Sequence, residues 1–108
     1  MKLPKGFELK RDKYSDKRGG NSKVLMIRCK QDNFELALYQ KDGPGPLKRL
    51  YLDRVIEPSL KAGHELVCKK CKQQVAVPYI YADEKRQALM IEAGSITQQV
   101  IPRSAYGK

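Results

Sequence analysis

The amino-acid sequence predicts a mainly β domain built from short antiparallel hairpins. Apolar residues alternate in segments 34–40 and 74–81, which is the two-residue period of a strand with one buried face. Segment 43–46 holds two glycines and two prolines, which neither a helix nor a central strand tolerates. With 108 residues, the chain is long enough for one domain with a modest hydrophobic core.

The individual strands follow from the apolar runs and the residues that interrupt them. They are predicted at 24–29, 34–40, 47–56, 65–68, 74–81 and 95–101, with 47–56 paired back on 34–40. Pro78 indicates a sheet edge or a bulge in the strand 74–81. Residues 83–93 fit either a helix capped by Asp83 or a hairpin turning at 83–86. The block 88–91 is contiguously apolar without a helical period, which favours the hairpin.

The domain organisation is predicted from composition. Residues 1–22 have few apolar positions and are predicted to form a flexible basic arm, 23–102 the β domain, and 103–108 a frayed tail. The formal net charge is +10, and residues 1–23 hold eight Lys/Arg against three Asp/Glu. This charge favours acidic partners, nucleic acid first among them.

The number of cysteines and the hydropathy of the chain indicate the cellular compartment in which we expect the protein. Three cysteines are an odd number, which argues against an extracellular disulfide framework. No apolar run approaches the roughly 20 residues that span a membrane, and none follows Met1 as in a secretory signal. We therefore expect a cytoplasmic protein without a membrane partner.

The cysteines predict a metal site. Cys68 and Cys71 form a Cys-x-x-Cys turn, and Cys29 with Asp32 repeats the spacing 39 residues earlier. Zinc takes four tetrahedral ligands from cysteine, histidine or carboxylate, so the two turns together would hold one zinc ion. His64 is the alternative fourth ligand to Asp32. A metal-free fold and thiol redox chemistry remain alternatives, although redox motifs usually open a helix.

These turns resemble the zinc-ribbon class, whose rubredoxin-like knuckles lie at hairpin tips and clamp one ion. The resemblance covers about residues 24–81 and rests on Cys29, Cys68 and Cys71. Asp32 stands where the class has cysteine, so the first knuckle is degenerate. Asn33 and Lys72 stand where the class has glycine. The resemblance implies a small antiparallel sheet of hairpins with one zinc ion, and it implies no particular function.

The basic residues suggest nucleic-acid binding. Cations on a strand can contact phosphates, and an exposed tyrosine beside them can stack on a base. The predicted interface comprises Lys10, Arg11, Lys17, Arg18, Lys48, Arg49, Tyr51 and Arg54. Because recognition-helix motifs are absent, we expect sequence-tolerant binding, to RNA or a ribonucleoprotein rather than to DNA. The lysines at the knuckles need not indicate nucleic-acid binding, since they would also offset the negative charge of the metal centre.

Two other function classes remain. The β surface could dock a protein partner as a structural module of a larger complex, and such binding would persist at high salt. Enzyme activity is the weakest hypothesis, because the sequence has no phosphate-binding loop and no nucleophile elbow. A zinc enzyme would need an open coordination position.

Overall fold

The computed structural model describes residues 1–106 of the chain. One short helix, α1 (Lys13–Lys17), precedes the strands, and single 3₁₀ turns lie at Leu52–Arg54 and Arg103–Ala105. The strands are β1 (Ser22–Cys29), β2 (Glu35–Asp42), β3 (Arg49–Tyr51), β4 (Val55–Glu57), β5 (Leu66–Val67), β6 (Gln74–Tyr81), β7 (Arg86–Ile91) and β8 (Ile96–Ile101). Among residues 1–106, no helix has the length and apolar character that crossing a membrane requires.

The strands form two antiparallel sheets of four strands each. The order is β4-β2-β1-β8 in the first sheet and β3-β7-β6-β5 in the second. The main core contains buried residues from both sheets, among them Leu25, Ile27, Ala37, Leu50, Val75 and Leu89. The mainly β, antiparallel fold class is thus confirmed, with two sheets where the sequence suggested one.

The two central strands of the first sheet, β1 and β2, are buried on both faces. Leu25 and Ile27 of β1 belong to the main core, whereas the intervening Val24 and Met26 form a second cluster on the outer face. Leu38 joins this outer cluster, but Leu36 belongs to the main core, because the β1–β2 ladder skips Leu36 at a bulge. The prediction of one buried face for 34–40 is therefore wrong.

The first part of segment 1–22, which was predicted as a flexible arm, lies against this outer face. Leu3, Phe7 and Leu9 pack on the second cluster. The side-chain amide of Gln40 accepts a hydrogen bond from the Lys10 amide at 2.8 Å and donates to the Lys10 carbonyl at 3.0 Å. The segment thus covers apolar residues of the sheet.

The helix α1 lies beside the β6–β7 turn, where Lys17 pairs with Glu84 at 3.4 Å, and the end of the chain adds to the cover of the first sheet. Asp12 caps α1 by accepting hydrogen bonds from the amides of Tyr14 and Ser15. In the predicted tail, Tyr106 packs edge-on against Phe7 with ring centroids 5.6 Å apart. Its hydroxyl accepts a hydrogen bond from the Val24 amide at 3.2 Å. Residues 107 and 108 of that tail lie outside the described residues.

Segment 47–56 passes from one sheet to the other. Its first part, β3, pairs with β7, and β4 pairs with β2 after the 3₁₀ turn. The prediction of one strand paired along β2 is therefore wrong over 49–51. The turn lets two adjacent residues of opposite charge reach separate partners, since Asp53 binds Arg86 at 2.6 Å and Arg54 binds Asp42 at 2.8 Å.

The remaining strands follow the prediction. Within residues 83–93, β7 forms the second strand of a hairpin, in which Ala88 and Leu89 pair with β6 residues Tyr79 and Pro78. The hairpin interpretation is thus confirmed. Pro78 lies beyond the β5 pairing, where β6 has no neighbour on that side, so its missing N–H costs no ladder hydrogen bond. β8 pairs with β1 as the last strand of the first sheet.

Candidate metal centre

The first turn of the candidate site follows β1. The Cys29 amide donates a hydrogen bond to the Phe34 carbonyl at 2.9 Å, and the Asn33 amide donates to the Cys29 carbonyl at 2.8 Å. Asn33 has a φ of 66°, in the left-handed region that asparagine tolerates better than most residues. This turn brings Cys29 and Asp32 to one side of the loop.

The second turn follows β5 and repeats these hydrogen bonds at the same offsets. The Cys68 amide donates to the Gln73 carbonyl at 2.9 Å, and the Lys72 amide donates to the Cys68 carbonyl at 2.8 Å. Lys72 has a φ of 67°, although lysine adopts this conformation less readily than glycine does. Two equivalent turns therefore present Cys29 with Asp32, and Cys68 with Cys71.

The four side chains converge on one point. One ligand atom each from Cys29, Asp32, Cys68 and Cys71 lies within 4.8 Å of the other three. The sulfurs of Cys29 and Cys71 are 3.7 Å apart, and the Cys68 sulfur is 3.4 Å from Asp32 Oδ2. All three cysteines are free thiols. The cluster is therefore close enough to bind one metal ion.

The two turns belong to different sheets. The Cys29 turn joins β1 to β2 in the first sheet, and the Cys68 turn joins β5 to β6 in the second. Cys29 and Cys68 are fully buried at the edge of the core, whereas Cys71 is exposed. An ion at this point would link the sheets through both turns.

The electrostatics of the cluster favour a cation. A hydrogen bond from the Phe34 amide lowers the pKa of Asp32 below its usual value, although desolvation opposes it. The Gln73 amide favours the Cys71 thiolate, but desolvation and the Asp32 carboxylate outweigh it and raise the pKa of Cys71 to about 11. A bound cation would reverse this balance, because it stabilises thiolates.

His64 does not join the cluster. It is exposed on the loop between β4 and β5, and its amide donates to the Lys61 carbonyl. The metal-ligand group within residues 1–106 contains Asp32 and not His64. Of the two alternatives for the fourth position, the structure brings Asp32 to the three cysteines.

Exposed lysines surround the cluster. They are Lys30 beside the first turn and Lys69, Lys70 and Lys72 in the second. The Lys72 ammonium donates to the Lys69 carbonyl at 2.9 Å, and Arg28 pairs with Glu35 at 3.4 Å. The lysines thus flank, in sequence, the two turns that carry the candidate ligands.

Part of the predicted nucleic-acid interface lies around a separate cavity of about 300 Å³. Arg18, Lys48, Arg49 and Tyr51 line it, together with the two prolines of the Gly/Pro turn, Pro44 and Pro46. Lys10, Arg11 and Lys17 are exposed outside this cavity. Lys10 donates to the Asp53 carbonyl at 2.7 Å, and Lys17 pairs with Glu84 at 3.4 Å.

Two predicted interface residues are not accessible. Tyr51 is 8% exposed, so its ring has no free face for a base, and its amide donates to the Tyr39 hydroxyl at 2.9 Å. Arg54 is 2% exposed and pairs with Asp42 at 2.8 Å and with Asp12 at 2.6 Å. We correct the expectation that these two side chains face solvent, because they contribute to the interior.

Sequence reasoning missed Lys41 at this cavity. Lys41 is the penultimate residue of β2 and lines the cavity with an 8% exposed side chain. The available signal was its place two residues before the Gly/Pro turn, which could have suggested that the turn folds over its side chain.

No protein-family model, no curated protein and no solved structure matches this chain. Fold and site therefore define its class: a two-sheet antiparallel β domain with a Cys₃Asp cluster that could hold a metal ion.

Proposed function

We propose that the protein is a structural zinc domain that binds nucleic acid through phosphate contacts. The Cys₃Asp cluster carries the zinc part of this proposal. Thiolates suit zinc and exclude hard cations such as Mg²⁺ and Ca²⁺, which take oxygen ligands. Two sulfurs bound to a tetrahedral zinc at about 2.3 Å lie about 3.8 Å apart. The 3.7 Å between Cys29 and Cys71 supports that geometry.

A structural role follows from the number and origin of the ligands. Four protein ligands close a tetrahedral site, whereas catalytic zinc keeps a position for water. Because the ligands come from both sheets, the ion would hold together two halves of a modest core. Three thiolates and one carboxylate around zinc would carry a net charge of about −2, which the surrounding lysines offset.

Zinc removal tests this part. At about 1,000 times the dissociation constant, free zinc stabilises a folded domain by about 4 kcal/mol. Chelation should therefore lower the melting temperature by more than about 10 °C, and added zinc but not magnesium should restore it. An unchanged melting curve in protein shown to have lost its metal would refute the structural role.

The charge distribution supports the nucleic-acid part. The formal net charge is +10, and Arg18, Lys41, Lys48 and Arg49 gather at one cavity. With Tyr51 buried, base stacking there is not expected, so phosphate contacts would dominate and sequence preference would be small. RNA or a ribonucleoprotein remains the preferred partner.

Fluorescence anisotropy with a labelled single-stranded RNA tests this part. We expect binding at about 50 mM salt that weakens at least tenfold at about 200 mM. Heparin as a non-nucleic polyanion and duplex DNA of equal length serve as controls. A dissociation constant for RNA above about 100 μM at low salt would refute the proposal. Binding that persists at high salt would instead support the protein-docking alternative.

A further inference from the structure

The cavity behind the Gly/Pro turn has an excess of positive charge. Its charged lining residues are Arg18, Lys41, Lys48, Arg49 and Asp42. Asp42 is already engaged, because its carboxylate accepts hydrogen bonds from Ser22 and Gln40 and pairs with Arg54. Of the four cations, Arg18 alone forms an ion pair within residues 1–106, with Glu84 at 3.0 Å. Within residues 1–106, the cavity therefore has more lining cations than anions to balance them.

Lys41 is the most deeply placed of these cations. Its ammonium donates to the Gly43 carbonyl at 2.6 Å, and the residue is only 8% exposed. Desolvation, assisted by the nearby Lys23, lowers the pKa of Lys41 below its usual value. A buried ammonium is costly unless a carboxylate pairs with it, and Lys41 forms no ion pair within residues 1–106, so an entering anion would relieve that cost.

The two arginines converge on one oxygen atom. Arg18 Nη2 donates to the Tyr51 hydroxyl at 3.1 Å, and Arg49 Nη1 lies 3.5 Å from the same oxygen. Arg49 Nε is buried and makes no hydrogen bond within the described part of the chain. Two guanidinium groups that meet at a single oxygen are well placed to share the oxygens of an anion.

The wall of the cavity is held in place before any ligand binds. Gly43 has a φ of 75°, and a Cβ there would lie 2.7 Å from the Arg18 carbonyl oxygen. The Gly43 amide donates to the Asn21 carbonyl at 2.6 Å, which fixes the turn to the N-terminal segment. Pro44 and Pro46 then limit backbone freedom in the turn. Such preorganisation lowers the entropic cost of binding.

We propose that this cavity binds a terminal phosphate group, as carried by a mononucleotide or by the end of a nucleic-acid strand. A terminal phosphate carries about two negative charges near neutral pH, and the three lining cations that form no ion pair within residues 1–106 can balance it. A phosphodiester within a strand has one charge and two chain exits, which a concave site beside a turn accommodates less well. The strand-end form of this inference rests on the proposed nucleic-acid function, whereas the mononucleotide form does not.

The test compares ligands that differ only in the terminal phosphate. Calorimetry measures adenosine 5′-monophosphate, inorganic phosphate and adenosine. Anisotropy measures one RNA sequence with a 5′-phosphate or a 5′-hydroxyl. We expect binding of the monophosphate but not of adenosine, and at least about tenfold tighter binding of the phosphorylated RNA. Binding of the monophosphate with no gain for the phosphorylated RNA identifies a mononucleotide as the source.

Charge-removing variants locate the binding. Lys41→Met and Lys48→Gln should each weaken monophosphate binding at least about fivefold, whereas Lys61→Gln, an exposed lysine outside the cavity, should leave it unchanged. Lys48 is exposed, so its variant remains informative if Lys41→Met fails to fold.

A failure of the cavity inference can be distinguished from a failure of the nucleic-acid proposal. Equal, salt-sensitive binding of both RNAs without monophosphate binding overturns the cavity inference and leaves nucleic-acid binding standing. Monophosphate binding without RNA binding refutes the nucleic-acid proposal and retains the cavity. Equal losses in Lys48→Gln and Lys61→Gln overturn the cavity as the binding place.

Discussion

Replacing Arg54 by methionine should lower the free energy of unfolding by about 3 to 5 kcal/mol, because it leaves a buried carboxylate unpaired. Arg54 Nε donates to Asp42 Oδ2 at 2.8 Å, and the Asp42 side chain is 5% exposed. The second contact, to Asp12 at 2.6 Å, adds less, about 1 kcal/mol at most, since that side chain is 38% exposed. The expected loss therefore comes mainly from Asp42.

The assay is urea unfolding followed by circular dichroism, because the chain has no tryptophan. A domain of this size has a stability of about 5 to 15 kcal/mol, so the loss is a large fraction of the total. The double variant Arg54→Met/Asp42→Asn should recover part of it, because no uncompensated charge stays buried. Arg11→Met, at an exposed position, is the matched control, with an effect within about 0.5 kcal/mol.

The reasoning fails if Arg54→Met costs less than about 1 kcal/mol, as an exposed pair would. It also fails if the double variant is no more stable than the single one. Either result would mean that the N-terminal segment and β2 do not enclose this ion pair.

Two further predictions concern the stability of the fold at acidic pH and the close packing of the Gly/Pro turn. Burial opposes ionisation of Glu84, but hydrogen bonds from Arg18 and Arg86 outweigh it and lower its pKa to about 2. The ionised Glu84 therefore stabilises the fold above about pH 4.5, and this stabilisation is lost as the pH falls towards 2. Between about pH 5 and pH 3, the melting temperature of Glu84→Gln should change less than that of the unmodified protein. Equal changes in the two proteins would contradict this prediction. Gly43→Ala should destabilise the fold by about 1 to 3 kcal/mol in urea unfolding, because its Cβ would clash with the Arg18 backbone. Gly45→Ala also has positive φ but meets open space, so an equal loss there would argue against a close contact at Gly43.

The candidate metal cluster could be predicted because its parts are local. Cys29 with Asp32, and Cys68 with Cys71, are each set by a turn of a few residues, and the two turns are incomplete sites of the same kind. The sequence alone left both Asp32 and His64 as candidates for the fourth ligand, since carboxylate and imidazole both bind zinc. The choice depends on the loop before β5, which leaves His64 exposed.

The burial of β1 and β2 on both faces could not be predicted, because it depends on contacts distant in sequence. Leu3, Phe7 and Leu9 are sparse apolar residues among charges, and their partners lie in β1 and β2. The burial of Arg54 could not be predicted for a similar reason, since an arginine in a strand-like pattern is usually exposed. Its partners Asp12 and Asp42 are each separated from it by many residues in the chain.

The central claim is that two turns from different sheets share one zinc ion, and zinc X-ray absorption of the natively purified protein tests it most directly. The account predicts about one zinc per chain with three sulfurs at about 2.3 Å and one oxygen at about 2.0 to 2.2 Å. His64→Ala should keep this spectrum, and Asp32→Ala should lose the metal or replace the oxygen. Protein that takes up no zinc, or a histidine nitrogen that disappears in His64→Ala, would contradict the claim.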